Sequence, residues 1–293
     1  MTTTQSSTHT LAVPGATLAY DVRPNDTTTE PILLLIGSPM GAAGFATLSS
    51  HFTDRTVVTY DPRGSERSAK TDPASPSTPE EHADDLHRLI QALGAGPVDL
   101  FASSGGAVNA LALVERHPEQ VRTLVAHEPP LFQVLPDRDA ALAAARDIHD
   151  MYMRSGFGPG MAKFIALVQH KGPVPAEWID QPPPDPAMFG LPTADDGART
   201  DVLLAQNMTS CTGYEPDFDA LRRASTRVVI AAGADSEGEP ANRAAHAVAA
   251  RLGTTPVIFP SHHGGFLGGE YGQAGEPDAF AAKLRDVLSP QAS

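Results

Sequence analysis

The stretch Val98-Asp-Leu-Phe-Ala-Ser-Ser-Gly-Gly-Ala107 holds the strongest structural signal in the 293-residue chain. Its first part, residues 98–101, is a short apolar run typical of a buried strand. Its second part opens a helical pattern over residues 105–116, which stops before Pro118. Two serines lie at the junction, among residues small enough for a backbone that turns sharply. We therefore predict a tight strand-to-helix turn that presents a serine hydroxyl.

Short apolar runs alternate with helical patterns along most of the chain, which is typical of a parallel sheet with crossover helices. The runs are continuous rather than alternating, as expected for strands buried on both faces. A leading hairpin, 11–13 and 16–22, turns at Pro14-Gly15. The other predicted strands span residues 32–36, 56–60, 121–126, 228–232 and 256–259, and further helices are predicted from Thr78 to Gly94, over 242–252 and over 278–287.

Residues 129–223 break this alternation, because they contain no convincing strand. They hold helical patterns at 139–153 and 161–170 and a Pro-rich segment at 173–192. The region is too long for a loop of a compact domain, and its apolar residues argue against a disordered linker. We predict a helical cap inserted between two late strands, over the C-terminal edge of the sheet. The remaining chain then divides into a flexible tail (1–8) and an α/β core (9–128 and 224–293).

The net charge of −14 argues against nucleic-acid partners and against anionic membrane surfaces, since both require a surplus of Lys and Arg. A neutral or weakly polar small molecule is the expected partner. Cys211 is the only cysteine, so an intrachain disulfide is excluded. The N-terminus lacks the basic and apolar regions of a signal peptide, and the longest apolar run, 32–36, is far short of the roughly 20 residues that span a bilayer. These features predict a cytoplasmic protein.

Candidate partners for a reactive serine follow other predicted strands. A serine hydroxyl becomes a good nucleophile only when a base accepts its proton. The stretch Pro256-Val-Ile-Phe-Pro-Ser-His-His-Gly-Gly-Phe266 supplies two adjacent histidines after the last strand. Carboxylates follow two further strands, at Glu128, which Pro-Pro holds stiffly, and at Asp235.

Taken together, these motifs resemble an α/β-hydrolase of the actinobacterial esterase type, and the resemblance extends from about Leu11 to Leu288. It implies a mostly parallel central sheet flanked by helices. A serine nucleophile separates the chain from haloalkane dehalogenases and epoxide hydrolases, which use an aspartate. The turn at Asp61 is a structural element in this family. The motifs are Gly37-Ser-Pro, Asp61-Pro-Arg-Gly, the Ser104 turn, His127-Glu-Pro-Pro, Gly233-Ala-Asp-Ser and His263-Gly-Gly-Phe.

The resemblance implies that Ser104 is the nucleophile, at the centre of the family's Gly-x-Ser-x-Gly pattern. Ala102 stands in the first glycine position, whereas centring the pattern on Ser103 would bring the bulky Phe101 there. The family's spacing from histidine to a following aromatic residue selects His263 as the base. Its neighbour His262 is then a packing or hydrogen-bonding residue.

The acid of the triad holds the histidine in one tautomer. In most relatives it ends a Gly-x-x-Asp motif after the strand that follows the cap, but Ser236 occupies that position here and Asp235 comes one residue early. A second known location is the end of the strand before the cap, where this chain has Glu128. This placement is similar to that in zearalenone-degrading lactonases. Glu128 is the first candidate and Asp235 the alternative.

An oxyanion hole requires two backbone N–H groups aimed at the developing charge. Gly105, directly after the nucleophile at a helix N-terminus, supplies one in this family. The second comes from the turn after the first buried strand, and since Pro39 has no N–H, Ser38 is the expected donor. Met40 and Gly37 are the alternatives.

The resemblance therefore implies a serine hydrolase that cleaves a small, fairly apolar carboxylic ester or lactone through an acyl-enzyme on Ser104. This mechanism requires no metal and no organic cofactor, and the protein is expected to be a monomer or homodimer. Two alternatives remain open. One is a non-catalytic ligand-binding member of the fold, and the other is a C–C hydrolase or perhydrolase that uses the same triad.

Overall fold

A computed structural model of the chain describes residues 6–289. Nine strands of this part of the chain form one sheet. The strands are β1 (Ser7–Val13), β2 (Ala16–Arg23), β3 (Leu33–Ile36), β4 (Val57–Tyr60), β5 (Ala69–Lys70), β6 (Val98–Ser103), β7 (Val121–His127), β8 (Arg227–Gly233) and β9 (Val257–Phe259).

The sheet is mostly parallel, as the sequence predicts. Its order is β1-β2-β4-β3-β6-β7-β8-β9, and β5 pairs with β2. Along this order from β4 to β9, each strand is parallel to its neighbour. Strand β2 is antiparallel to each of its partners, β1, β4 and β5. The carboxyl ends of β3, β6, β7, β8 and β9 consequently meet at one edge of the sheet, where ligands bind in open α/β sheets.

Helices cover both faces of the sheet. α2, α3 and α8 pack on one face, and α1 and α9 pack on the other. The helices are α1 (Ala46–Ser50), α2 (Pro79–Leu93), α3 (Gly105–Arg116), α4 (Arg138–Ser155), α5 (Phe157–Val168), α6 (Met208–Gly213), α7 (Phe218–Arg223), α8 (Pro240–Arg251) and α9 (Pro277–Leu288).

The central strands alternate between two separate apolar clusters, because successive side chains of a strand point to opposite faces. In β3, Leu34 and Ile36 pack beneath α2 and α3, while Leu33 and Leu35 face α1 and α9. All four side chains are fully buried. A strand with two buried faces must be apolar throughout, which explains the continuous runs in the sequence.

The ends of α2 follow the expected local rules. The Thr78 hydroxyl accepts a hydrogen bond from the Glu81 N–H, and the Glu81 carboxylate accepts one from the Thr78 N–H. Pro79 occupies the first helical position, and Gly94 ends the helix in the left-handed conformation (φ 65°). This reciprocal cap stabilises the first turn by satisfying two N–H groups that have no partner within the helix.

Residues 129–223, here called the insert, connect β7 to β8. Helices α4 and α5 lie close to the predicted positions, and a π-helix (Val202–Asn207) leads directly into α6. Most of the insert packs around its own apolar cluster. Near the end of the insert, Phe218 and Leu221 of α7 pack with α3 and α8 in the cluster beneath the sheet. Their apolar side chains bind the end of the insert to the core.

The expected N-terminal tail needs correction. Residues 1–5 lie outside the described part of the chain, but Ser7 and Thr8 already belong to β1. They pair with Val22 and Asp21 of β2, and the Thr8 hydroxyl donates to the Asp21 carboxylate at 2.5 Å. Within residues 6–289, no helix has the length and apolar character needed to cross a membrane.

Candidate active site

Ser104 lies between β6 and α3 with an unusual backbone conformation. Its φ of 57° and ψ of −128° turn the chain sharply from strand into helix. Its N–H donates to the carbonyl of His127 at 3.0 Å, which ties the turn to the end of β7. Positive φ costs free energy for a residue with a side chain, so a fold that keeps it must hold this turn firmly. Ser103, by contrast, is a buried strand residue.

The two glycines after Ser104 are required by close packing. A Cβ on Gly106 would lie 2.8 Å from backbone atoms of Gly37, and one on Gly105 would lie 2.7 Å from the carbonyl oxygen of Ser38. Real Cβ atoms do not approach backbone atoms so closely. The N-terminus of α3 therefore rests directly against the turn after β3, which the sequence predicts to be the second half of the oxyanion hole.

The N–H groups of Ser38 and Gly105 are available to a ligand. Neither donates to any protein acceptor in the described range 6–289. Gly105 also begins a helix of 12 residues, whose N-terminal end carries a partial positive charge. Two N–H groups without protein acceptors in this range, on adjoining turns, are donors of the kind that can bind negative charge.

Glu128 follows β7 and is completely buried, with a positive φ of 48°. Its Oε1 accepts three hydrogen bonds, from the Gly233 N–H at 2.8 Å, the Ser236 hydroxyl at 2.5 Å and the Asn242 side-chain amide at 3.0 Å. Its Oε2 contacts His263 Nδ1 at 2.6 Å. Four donors compensate the carboxylate for its loss of water.

The contact with Glu128 determines the tautomer of His263. An ionised carboxylate can only accept, so Nδ1 of His263 carries the hydrogen in this bond. The lone pair of Nε2 is then free to accept a proton from another group. The His263 side chain is 39% exposed, whereas Glu128 is buried. The hydrogen bonds of residues 6–289 include none between the Ser104 hydroxyl and His263, as is common before substrate binds.

The pKa values of this pair shift in opposite directions. Burial by itself would raise the pKa of Glu128, but the hydrogen bond and charge of His263, with smaller effects of His127 and Ser236, hold it well below its usual range. Burial would lower the pKa of His263, but the hydrogen bond and charge of Glu128, aided by Glu239, raise it above 6.5. Each group thus stabilises the charged form of the other.

The two alternative residues lie in other surroundings. Asp235 is exposed, and its side chain forms no hydrogen bond within the described residues, while its N–H donates to the Ser261 carbonyl. His262 stabilises its own turn. Its Nδ1 accepts from the Gly264 N–H at 3.0 Å, and its Nε2 contacts the Ala274 carbonyl at 3.2 Å. The structure therefore brings Glu128 to His263 and leaves Asp235 and His262 apart from this pair.

Within residues 6–289, one group of three side chains has the composition of a metal site, namely His127, Glu128 and His263. A tetrahedral ion bound by both Glu128 and His263 would hold their ligand atoms about 3.3 Å apart. The observed 2.6 Å is a hydrogen-bond distance. The geometry is therefore that of an acid–base pair and not of an open set of metal ligands.

Several residues of the site have contacts that the sequence does not indicate. Ser236 and Asn242 both donate to Glu128, and Asn207 of the insert donates to the Ser38 hydroxyl at 3.3 Å. Asn242 lies in the first turn of α8 and Asn207 ends the π-helix. Their roles depend on contacts between distant segments, which no local pattern predicts.

Comparisons with known proteins agree with this fold. Residues 30–181 match the model of the alpha/beta hydrolase fold family. The chain is 31% identical over 297 residues to the uncharacterized hydrolase YraK of Bacillus subtilis, covering 96% of both chains.

Among solved structures, a thermophilic esterase from Thermogutta terrifontis superposes with a TM-score of 0.65 at 21% identity, covering 97% of this chain and 98% of the other. The enol-lactonase from Burkholderia xenovorans LB400 gives a TM-score of 0.63 at 17% identity, covering 96% and 100%. At these identities the likeness concerns the fold alone. The family match and the full-length relative together identify the chain as a member of the α/β-hydrolase fold family.

Proposed function

We propose that the protein is a serine hydrolase that cleaves a small, fairly apolar carboxylic ester or lactone. The observation that carries this proposal is the hydrogen bond between the buried Glu128 and the partly exposed His263, beside the strained turn at Ser104. A carboxylate that fixes Nδ1–H leaves Nε2 as a general base, and a serine on a tight turn is the group such a base activates.

The reaction proceeds in two halves. Ser104 attacks the carbonyl carbon while His263 Nε2 accepts its proton, and the N–H groups of Ser38 and Gly105 stabilise the oxyanion. His263 then protonates the leaving alcohol, which leaves an acyl group on Ser104. Water attacks this acyl-enzyme by the same route, and the acid is released.

The substrate class is supported by indirect observations. The chain carries a net charge of −14, which disfavours anionic substrates. One residue of the insert reaches the start of α3, because Cys211 Sγ would lie 3.5 Å from a Cβ on Gly105. Structural neighbours named as an esterase and an enol-lactonase have chemistry that the same groups can perform. We propose that the insert acts as a cap that supplies the apolar walls of the binding site.

A panel of p-nitrophenyl acetate, p-nitrophenyl butyrate and aliphatic lactones tests the proposal directly. The wild-type protein is expected to hydrolyse at least one class, and Ser104→Ala is expected to abolish that activity. Equal rates for both proteins would disprove the assignment of Ser104. Activity restricted to C–C substrates or to perhydrolysis would replace the proposed substrate class while retaining the triad.

A further inference from the structure

A buried chain of three polar side chains joins the core to the insert. It consists of His82 in α2, Asn207 at the end of the π-helix, and Ser38 in the turn after β3. Their exposed fractions are 1%, 2% and 6%. His82 Nε2 contacts Asn207 Oδ1 at 3.4 Å, and Asn207 Nδ2 contacts Ser38 Oγ at 3.3 Å. The turn that holds the predicted oxyanion donor is therefore also bound by a residue of the insert.

The direction of these hydrogen bonds follows from the state of His82. Burial lowers the pKa of His82 to about 3, so the ring is neutral near pH 7 and carries one hydrogen. Its Nδ1 has no partner among the described residues. A buried N–H without an acceptor is rarer than a bare lone pair, so the hydrogen belongs on Nε2. His82 then donates to Asn207, and the Asn207 amide donates to Ser38.

This direction determines what the Ser38 hydroxyl can do. A serine hydroxyl has one hydrogen to donate and two lone pairs. Because Asn207 occupies a lone pair, the hydrogen of Ser38 remains unused, and it has no acceptor within residues 6–289. The Ser38 side chain also borders the candidate oxyanion pocket, since a Cβ on Gly105 would lie 3.4 Å from Ser38 Cβ.

We propose that the Ser38 hydroxyl is a third donor to the oxyanion, in addition to the backbone N–H groups of Ser38 and Gly105, and that Asn207 is the positioning residue that keeps its hydrogen free. This inference rests on the proposed hydrolase function and extends it. Hydrogen bonds in a continuous series polarise each other, so the bonds donated by His82 and Asn207 strengthen the bond that Ser38 donates to the oxyanion. Asn207 lies at the end of a π-helical turn, and such turns are frequent at functional sites.

The insert does not need this hydrogen bond for its attachment. Gln206 binds Lys70 at 2.8 Å and the Pro73 carbonyl at 2.9 Å, and the Ser210 hydroxyl donates to the Ser77 carbonyl at 2.7 Å. These contacts lie along the same edge of the insert as Asn207. Ser210→Ala is therefore a matched control, because it removes the contact with the Ser77 carbonyl and one with the Asn207 backbone carbonyl at 2.9 Å, but it retains the side-chain amide of Asn207.

The test compares Ser38→Ala, Asn207→Asp and the double variant with an ester that the wild-type protein hydrolyses. Ser38→Ala retains its backbone N–H, and we expect kcat to fall about 10²-fold with little change in KM, because the lost bond forms in the transition state. In Asn207→Asp the carboxylate accepts the Ser38 hydrogen and turns it away, so a similar loss is expected. The double variant should be no slower than Ser38→Ala alone.

Affinity for a trifluoromethyl ketone, which forms an oxyanion on the nucleophile, provides a second measurement. Its Ki should rise by the same factor by which kcat/KM falls, whereas a merely structural defect would also lower the melting temperature and affect KM. Ser210→Ala should retain wild-type kcat. An unchanged kcat in Ser38→Ala, or additive losses in the double variant, would overturn the inference. Failure of the proposed function itself is recognised separately, by wild-type activity that equals that of Ser104→Ala.

Discussion

The hydroxyl of Ser236 donates a hydrogen bond of 2.5 Å to Oε1 of Glu128. Position 236 is where the common arrangement of the family has its acid, and Glu128 occupies the second known location. In this chain the residue at position 236 is therefore not an acid but a hydrogen-bond donor to the carboxylate of Glu128. Together with Gly233 and Asn242, Ser236 keeps Oε1 satisfied and leaves Oε2 to His263.

The choice of acid is tested by comparing Glu128→Gln with Asp235→Asn. Glutamine preserves the shape of Glu128, but its amide can present an N–H to His263 and favour the wrong tautomer. We expect kcat to fall on the order of 10⁴-fold, as for loss of the orienting carboxylate in other triads. Asp235→Asn should retain most of the activity, because the Asp235 side chain is exposed and forms no hydrogen bond to His263 within residues 6–289. The reverse order of effects in steady-state kinetics would make Asp235 the acid.

The choice of nucleophile is tested by Ser104→Ala and Ser103→Ala. Removal of the nucleophile from a triad lowers kcat on the order of 10⁶-fold, and we expect this loss for Ser104→Ala. Ser103 is a buried strand residue, so Ser103→Ala should retain activity. A phosphonate ester followed by peptide mass mapping gives an independent reading, in which the label should lie on Ser104. A label on Ser103 would contradict the proposed mechanism.

The pH dependence of kcat/KM should follow the ionisation of His263. Only the neutral imidazole can act as a base, so activity rises as the pH increases through its pKa, which Glu128 raises above 6.5. In Glu128→Gln this cause is absent, and the residual activity should begin its rise at a lower pH. Glu239→Gln should shift the profile in the same direction by a smaller amount, because Glu239 contributes less. A profile that stays in place or moves to higher pH in Glu128→Gln would exclude His263 as the base.

His127 is expected to reduce the stability of the fold. The ring is fully buried among Phe101, Phe259 and Phe280, and neither nitrogen has a partner within residues 6–289. Replacing an unsatisfied buried polar group with an apolar one removes a penalty of about 1–3 kcal/mol. We therefore expect His127→Leu to raise the free energy of unfolding in urea at pH 8.

The increase in the free energy of unfolding caused by His127→Leu should be larger at pH 5 than at pH 8. Burial lowers the pKa of His127 to about 4, so between pH 6.5 and 4 the unfolded chain binds a proton that the folded chain does not. Stability is therefore lost as the pH falls through this interval, and His127→Leu removes that contribution. A variant that is less stable at pH 8, or whose stability falls with pH as steeply as that of the wild type, would show that His127 has a partner in solution.

Much of the fold could be predicted from the sequence, because the signals are local. Continuous apolar runs mark strands with two buried faces, and Thr78, Pro79 and Gly94 mark the ends of α2. The predicted start of β1, at Leu11, lies four residues after the observed start, because the polar residues 7–10 form strand through cross-strand pairing rather than apolar character. The two-residue strand β5 is too short to leave a pattern.

The sequence points to those residues of the candidate site that belong to motifs. It does not point to those that tertiary packing brings to the site. The family motifs point to Ser104, His263 and Glu128, and the structure brings Glu128 to His263. The roles of Asn242 and Asn207 depend on segments that meet across more than 100 residues of sequence. Polar contacts at that separation follow from tertiary packing, which periodicity does not encode.

The position of the insert limits how this enzyme can be engineered. Glu128 is the residue immediately before the insert, and Asn207 within it donates to the Ser38 hydroxyl. A chimaera that exchanges residues 129–223 with those of a relative would therefore exchange a partner of the proposed oxyanion turn and alter the chain that follows the proposed acid. To transfer substrate specificity with this segment, the relative that supplies it should have an amide side chain at the position of Asn207. Otherwise Ser38 of the recipient has to be redesigned together with the segment.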